Sequence, residues 1–327
     1  MKKKIAILGS TGSIGKSLVD ILTKDKKKFE VKFLSAEKNY KELLNQAKLL
    51  NVKNLIITNK EAYFSLLKLK KSKDIKIYNN FENIGKIIST KVDYCMCAIS
   101  GLSGLIPTYK MIKHSKTLAI ANKESIICGW NLIEKEIKKN KTKFIPVDSE
   151  HFSIWFGLNT IDNSKVDSIY LTASGGPLVN TPFKNFKNIK KSQALKHPNW
   201  KMGKKISIDS CTMMNKVFEV IEAKNIFKIP YDKIKILVHQ KSYVHALIKF
   251  NNGLIKIIVH DTNMKIPIFN TLYSDSDKRI NTSNVNIKFL NKKEFLKLKQ
   301  VQPKKIDEIL KLNKYVRLKI NSLSVYK

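Results

Sequence analysis

Asp148 and Glu150, two positions apart in Val147-Asp-Ser-Glu-His151, are acids whose spacing suits metal chemistry in this 327-residue chain. A strand expected over 144–147 ends just before them, and strand alternation points i and i+2 to one side. Two carboxylates on one side invite an oxygen-seeking divalent cation, Mg2+ or Mn2+. The alternative is a helix cap, with Asp148 or Ser149 closing a helix that starts near His151. More acids lie in the segment 203–223, GKKISIDSCTMMNKVFEVIEA. Its expected helix begins at about Cys211, with Ser210 or Thr212 near the N-cap. Met213, Met214, Val217, Phe218, Val220 and Ile221 make it apolar on most sides, which argues for burial. Yet Thr212, Asn215, Lys216, Glu219 and Glu222 share one narrow stripe. Buried charge is costly unless it is paired or holds a ligand. The stripe is therefore either an internal ion-pair network or the wall of a site.

A second chemistry is signalled at the N-terminus. Gly9, Gly12 and Gly15 crowd one strand-to-helix turn in a chain with only 12 glycines. Glycine there permits a tight turn, close approach of a pyrophosphate to backbone N–H groups, and close helix packing. The end of the second strand is where a dinucleotide's ribose is read, an acid suiting the 2′-OH and a cation a 2′-phosphate. This chain places Glu37 and Lys38 side by side there, followed by Asn39, and that leaves NAD and NADP both open. Further on, Ser174-Gly-Gly-Pro177 ends a strand with N–H and hydroxyl donors that suit a phosphate. Residues 197–205, HPNWKMGKK, read as a mobile loop able to close over a ligand, with His197 and Trp200 inside it.

The elements that must position these groups follow a rhythm. Strands are expected at 5–8, 29–35, 55–58, 75–78, 93–99, 117–121 and 144–147. Helices are expected after Gly15 through about Leu22 and near 61–70, 82–89, 104–113 and 126–139. This alternation predicts a parallel sheet with helices on both faces, a doubly wound, Rossmann-like layout. Past 147 the rhythm breaks and an α+β region is expected. From 274 to 302 the chain reads as a polar Lys- and Asn-rich linker, followed by helical spacing over Lys304–Leu312.

Composition narrows the class of function. The formal net charge is +36, from 62 Lys and Arg against 26 Asp and Glu. The excess is mostly Lys, spread through nearly every segment, whereas Arg is the chief reader of base edges. A specific nucleic-acid function is not expected. The four cysteines, Cys95, Cys97, Cys128 and Cys211, form no CxxC pair and no zinc spacing, and fit reduced thiols in a cytoplasmic compartment. The opening apolar run stops at Leu8, too short for a signal-peptide core, and no run reaches membrane-spanning length.

Gly9-Ser-Thr-Gly-Ser-Ile-Gly15, Asn122-Lys-Glu-Ser125, VDSEH over 147–151, Ser174-Gly-Gly-Pro177, HPNWKMGKKISIDS over 197–210 and TMMNKVFE over 212–219 occur in one order. With them the chain resembles the 1-deoxy-D-xylulose 5-phosphate reductoisomerase family, from residue 1 to about 273. That family converts 1-deoxy-xylulose 5-phosphate to 2-C-methyl-erythritol 4-phosphate, on the non-mevalonate route to isoprenoids. It uses NADPH and a divalent cation, Mn2+ or Mg2+, with Co2+ a further candidate.

The resemblance implies a V-shaped homodimer. It divides the chain into an NADPH-binding Rossmann-like domain over 1–147, a catalytic domain over 148–273 and a shortened helical end over 274–327. It implies that Thr11, Gly12, Ser13 and Ile14 hold the NADPH phosphates, and that Lys38 and Asn39 sit at the ribose phosphate. Asn122, Glu124 and Gly203 would also meet the cofactor. Asp148, Glu150 and Glu219 would hold the metal. Ser149, Glu150, Ser174, His197, Ser210, Asn215, Lys216 and Glu219 would surround the substrate, with Lys123, Glu150 and His197 nearest the chemistry and Trp200 on the flap. Glu37 departs from the family's usual glycine and Gln240 from its proline. The alternatives are another NADP-dependent dehydrogenase of similar layout, or a decayed or partner-dependent relative, the latter motivated by the shortened end.

Overall fold

The structure, a computed structural model, describes residues 1–69, 74–159, 161–182, 185, 188–197, 199–200, 203–274, 276 and 278–282. Residues 1–280 form one compact unit. Seven strands build its larger sheet: β1 (Lys3–Leu8), β2 (Phe29–Ala36), β3 (Asn54–Ile57), β4 (Lys76–Tyr78), β5 (Val92–Cys97), β6 (Ser115–Ile120) and β7 (Lys143–Pro146). Their order is β4-β3-β2-β1-β5-β6-β7, and every pairing is parallel. The fold is the expected doubly wound sheet. Ile5, Ala6, Ile7 and Leu8 are all fully buried, because helices cover both faces and a parallel strand then needs apolar residues throughout.

The connections are α1 (Ser13–Thr23), α2 (Tyr40–Leu50), α3 (Lys60–Leu69), α4 (Ile84–Ile87), α5 (Leu105–Ile112) and α6 (Lys123–Asn140). One apolar core lies where α1 and α2 pack, and a second lies where α5 and α6 pack. The sequence reading lacks α2, although Asn39 caps it and Leu43, Leu44 and Ala47 form its buried stripe. It also starts α6 three residues late. Asn122 caps that helix by accepting from the Ser125 N–H at 2.6 Å.

Beyond β7 come α7 (Ser149–Gly157), β8 (Val166–Ala173), α8 (Lys191–Ala194), α9 (Lys204–Cys211), α10 (Met214–Phe227), β9 (Ile234–Val238), β10 (Val244–Phe250), β11 (Ile255–Val259) and α11 (Lys265–Leu272). The second sheet runs β11-β10-β8-β9, with β8 and β9 parallel and the other pairings antiparallel. Helices α7 and α10 supply apolar side chains to the core on one of its faces. The chain then returns to the larger sheet. Ile268, Phe269 and Leu272 of α11 join the core beside α1. The Tyr94 hydroxyl and Thr271 Oγ1 lie 2.8 Å apart, and Lys3 donates to the Leu272 carbonyl at 2.6 Å.

Two expectations need correction. The single helix expected from Cys211 is two helices, α9 and α10, broken at Met213, whose φ of 61° is left-handed. Its amphipathicity is inverted as well. Lys216, Glu219 and Glu222 are buried, while Met214 and Val217 are 44% and 49% exposed. The second correction concerns Asp148 and Glu150. They do not share a side through strand alternation, because β7 stops at Pro146. Asp148 is the N-cap of α7, accepting from the Ser149 N–H at 3.1 Å, and Glu150 lies in the first helical turn. The helix expected over Lys304–Leu312, and the linker from 283 onward, lie outside the described residues.

Candidate active site

The crevice lies at the carboxyl edge of the larger sheet, between β1 and β5, where the winding reverses. Gly9 has φ +78°, and a Cβ there would meet the Ala98 carbonyl oxygen at 2.7 Å. The β1 turn therefore rests directly on the end of β5. A Cβ on Gly15 would meet Gly9 O at 2.3 Å, so the first turn of α1 packs equally closely. Gly12 caps α1 without a side-chain acceptor. The first N–H groups of α1, including those of Ser13 and Ile14, then lack helical partners and form a cradle suited to a pyrophosphate. Glu37, Lys38 and Asn39 are exposed just past β2, with Lys38 Nζ 3.8 Å from Glu37.

Across the crevice, both ends of the Asn122 amide are engaged within the protein. Its Oδ1 caps α6, while its Nδ2 donates to the carbonyls of Ile99 at 2.6 Å and Gly101 at 2.9 Å. Asn122 thereby shapes the loop after β5. Glu124 lies 3.1 Å from Lys205, so α9 reaches across to the start of α6, with Gly203 at the N-cap of α9.

Beneath this crevice four carboxylates converge: Asp148 and Glu150 from α7, Glu219 and Glu222 from α10. Two ammonium groups hold them, Lys216 buried and Lys123 half-buried. Lys123 pairs with Asp148 and lies 3.4 Å from Glu222 and 3.5 Å from Glu219. Lys216 pairs with Glu219, donates to the Thr172 carbonyl, and lies 2.8 Å from Glu150. Burial pushes both lysine pKa values down, but the carboxylates outweigh it and hold both above the ordinary value. Burial pushes Glu150 up, yet Lys216, His245 and Lys123 hold it well below the usual carboxylate range. Ser149 donates to Glu150 at 2.5 Å, and Asn215 to Glu219 at 2.5 Å.

The donor set fits a divalent cation. One carboxylate oxygen each from Asp148, Glu150 and Glu219 lies within 4.8 Å of the others. Four carboxylates against two ammonium groups leave an excess of negative charge.

The third part of the site is the turn after β8. Gly175 and Gly176 both have positive φ, and a Cβ on Gly176 would meet Ser210 O at 2.7 Å. This contact seats the Ser174 turn against the end of α9. His197 Nδ1 accepts from the N–H groups of Asn199 at 3.2 Å and Trp200 at 3.0 Å. The proton therefore sits on Nε2, which lies 2.9 Å from Ser174 Oγ. Gly176 N–H also donates to that oxygen at 3.0 Å, so the Ser174 hydroxyl is left to donate outward.

Asn199 and Trp200 are tied to the start of β10. Asn199 bonds Ser242 at 2.8 Å and the Gln240 carbonyl at 2.5 Å, and Trp200 packs edge-on against His245. Pro198, Lys201 and Met202 lie outside the described residues.

Sequence reasoning gave no role to His245, His151 or Glu222. Glu222 carried a signal, because it shares the stripe of Glu219. His245 carried none, since only the strand pairing of β10 with β8 brings it here.

Residues 5–129 match the profile of 1-deoxy-D-xylulose 5-phosphate reductoisomerase, and residues 144–227 match the C-terminal domain profile of the same enzyme. The chain is 49% identical to the protein of that name from Pelagibacter ubique (strain HTCC1062), over 99% of this chain and 100% of that one.

The chain belongs to the 1-deoxy-D-xylulose 5-phosphate reductoisomerase family.

The alignment with the Pelagibacter reductoisomerase runs over 387 positions, more than the 327 residues of this chain, so part of that relative has no counterpart. Solved reductoisomerase structures agree. The one from Zymomonas mobilis in complex with NADPH superposes with a TM-score of 0.81 at 32% identity, over 89% of this chain and 76% of that one. A reductoisomerase in complex with NADPH, fosmidomycin and magnesium gives 0.80 at 30% identity, over 92% and 76%. No helix among the described residues is long and apolar enough to cross a membrane.

Proposed function

We propose that this protein is a 1-deoxy-D-xylulose 5-phosphate reductoisomerase: it rearranges that sugar phosphate and reduces the product with NADPH to 2-C-methyl-D-erythritol 4-phosphate. The observation that carries the reading is the convergence of Asp148, Glu150 and Glu219 beneath a glycine turn built for a dinucleotide. A plain hydride-transfer dehydrogenase of similar layout would not need three carboxylates there. When bound, the metal supplies Lewis-acid polarisation of neighbouring substrate oxygens, and NADPH supplies the hydride.

The chain's own residues do the rest. Thr11, Gly12, Ser13 and Ile14 cradle the cofactor phosphates, and Lys38 and Asn39 sit at the ribose. Asn122 and Glu124 shape the nicotinamide end, with Gly203 facing it. The outward Ser174 hydroxyl, oriented by His197, binds the substrate phosphate together with Ser210, Asn215 and Lys216. That anchor holds the reacting carbons by remote binding energy. Lys123, Ser149 and Glu150 meet the substrate at the metal end, and Trp200 excludes water.

The chain acts in the cytoplasm as a homodimer. Ile236, Leu237 and Val238 on β9, and Ile255 and Ile257 on β11, are exposed on the edge strands of the smaller sheet, an apolar surface that a second copy would cover.

The test is loss of NADPH absorbance with purified protein, deoxyxylulose phosphate and Mn2+. Activity abolished by EDTA and by Glu219→Gln is the expected result. Turnover that survives both would overturn the metal assignment. No turnover by a folded, NADPH-binding protein would overturn the reductoisomerase assignment.

A further inference from the structure

The carboxylates around Lys123 divide into two overlapping sets. Asp148, Glu150 and Glu219 form the first. The second is Asp148, His151 and Glu222, whose donor atoms also lie within 4.8 Å of one another. His151 is fully buried and Glu222 is 1% exposed. The tautomer of His151 is fixed by its surroundings. Nε2 lies 2.9 Å from the Glu219 carbonyl oxygen, which can only accept, so Nε2 carries a proton, and in the neutral ring Nδ1 presents a lone pair. Nδ1 has no hydrogen-bond partner. It faces Asp148 Oδ2 at 3.5 Å and Glu222 Oε2 at 3.8 Å. That lone pair and the two carboxylate oxygens are three donor atoms converging on one point, the arrangement that holds a divalent cation. The Lys123 ammonium pairs with both acids but makes no hydrogen bond to Nδ1.

The geometry points to a second divalent-cation site, formed by Asp148, His151 and Glu222 and sharing Asp148 with the first. One imidazole nitrogen and two carboxylates suit Mn2+, Co2+ or Zn2+, whereas Mg2+ prefers an all-oxygen set. The Nε2–H bond to a backbone carbonyl is the support that metal-bound histidines use to fix their ring. That carbonyl belongs to Glu219, so the two sites are mechanically joined. The Phe227 ring stacks on His151 at 6.3 Å between centroids, which further fixes the plane. Occupation displaces Lys123 from Asp148 and Glu222 and frees its ammonium for an anionic ligand. One divalent ion already balances the excess charge of the four carboxylates over the two lysines, so the second ion binds more weakly than the first. The inference rests on the catalytic-metal reading only through the shared Asp148.

The test is metal counting on the metal-free full chain, dialysed against Mn2+ and, separately, against Co2+ in the presence of excess Mg2+. The expected result is two Mn2+ per chain, and one Co2+ per chain under Mg2+ with a nitrogen-ligand d–d band. Glu222→Gln, near-isosteric, loses the Co2+ and its band and keeps one Mn2+. Two ions sharing a carboxylate also show spin coupling in the Mn2+ electron resonance spectrum. A single Mn2+ per wild-type chain overturns the second site, and so does a Co2+ count unmoved by Glu222→Gln; the wild-type count decides the matter even if the variant fails to fold. An Mn2+ count unmoved by Glu219→Gln would instead count against the catalytic-metal reading.

Discussion

The Nε2–H of His197 lies 2.9 Å from the Ser174 hydroxyl oxygen, and the same oxygen accepts from Gly176 N–H. With two donors already pointing at it, Ser174 can only donate its own proton outward. Ser174→Ala removes one donor to a phosphate. A hydrogen bond to a charged group contributes about 1.5–3 kcal/mol, so KM for the sugar phosphate rises by about 10- to 100-fold with a smaller change in kcat. Steady-state kinetics in both parameters checks this, and an unchanged KM would remove Ser174 from the phosphate site.

Asn122 separates two jobs that substitution can pull apart. Asn122→Ala loses the α6 cap and the two carbonyl bonds, and costs at least the ~0.5–2 kcal/mol of a lost cap. Asn122→Asp keeps the capping oxygen but aims a second oxygen at the Ile99 and Gly101 carbonyls. Its melting temperature should fall less than that of Asn122→Ala, while its NADPH affinity falls as well. Calorimetry and NADPH fluorescence titration are the paired measurements. Equal melting points for wild type and alanine variant would show that the cap contributes nothing.

The inverted helix α10 gives an unusual pair of expectations. Val217→Lys, an apolar-to-charged change in a helix apolar on most sides, should alter stability by less than about 0.5 kcal/mol, because the position is exposed. Lys216→Met, which looks conservative in volume, should destabilise the metal-free protein by about 3–5 kcal/mol, since Glu150 and Glu219 lose a buried partner. Added Mn2+ should restore part of that loss by mass action. Urea titrations of both variants test the inversion, and the opposite ranking would refute it.

Burial, and then the neighbouring His260, lower the pKa of His245 to about 3. An unfolded histidine takes up its proton near pH 6.5, so between that pH and about 3 the unfolded chain binds the extra proton. Stability is therefore present above pH 6.5 and is lost as the pH falls through this window, by up to about 1.4 kcal/mol per pH unit. Melting temperatures from pH 7 to 4.5 should decline, and His245→Leu should flatten the slope. A wild-type curve flat over that range would exclude a buried neutral His245.

The larger sheet was legible in the sequence because its strands carry short apolar runs bounded by turns, continuous where both faces are covered, as at Ile5–Leu8. Asp148 and Glu150 were legible as a pair, although a helix cap and first turn, not strand alternation, bring them together. What local pattern could not show was burial. The charged stripe of α10 is inside because Lys123, 96 residues before Glu219 in the chain, arrives from α6 to neutralise it. No local window contains that compensation. The break at Met213 was hidden for a related reason: a left-handed residue other than glycine or asparagine has no compositional mark, and neighbouring packing sustains it. His245 likewise depends on strand register alone.

Helix α11 leaves the smaller sheet and lies down beside α1, with Thr271 bonded to the buried hydroxyl of Tyr94. The polypeptide from α7 to β11 is thus inserted between two stretches anchored to the same layer. Cutting the gene at codon 147 would not liberate a free-standing nucleotide-binding module. It would strip Ile268, Phe269 and Leu272 from the core beside α1 and leave an apolar scar, so the excised fragment is expected to aggregate where the intact chain does not.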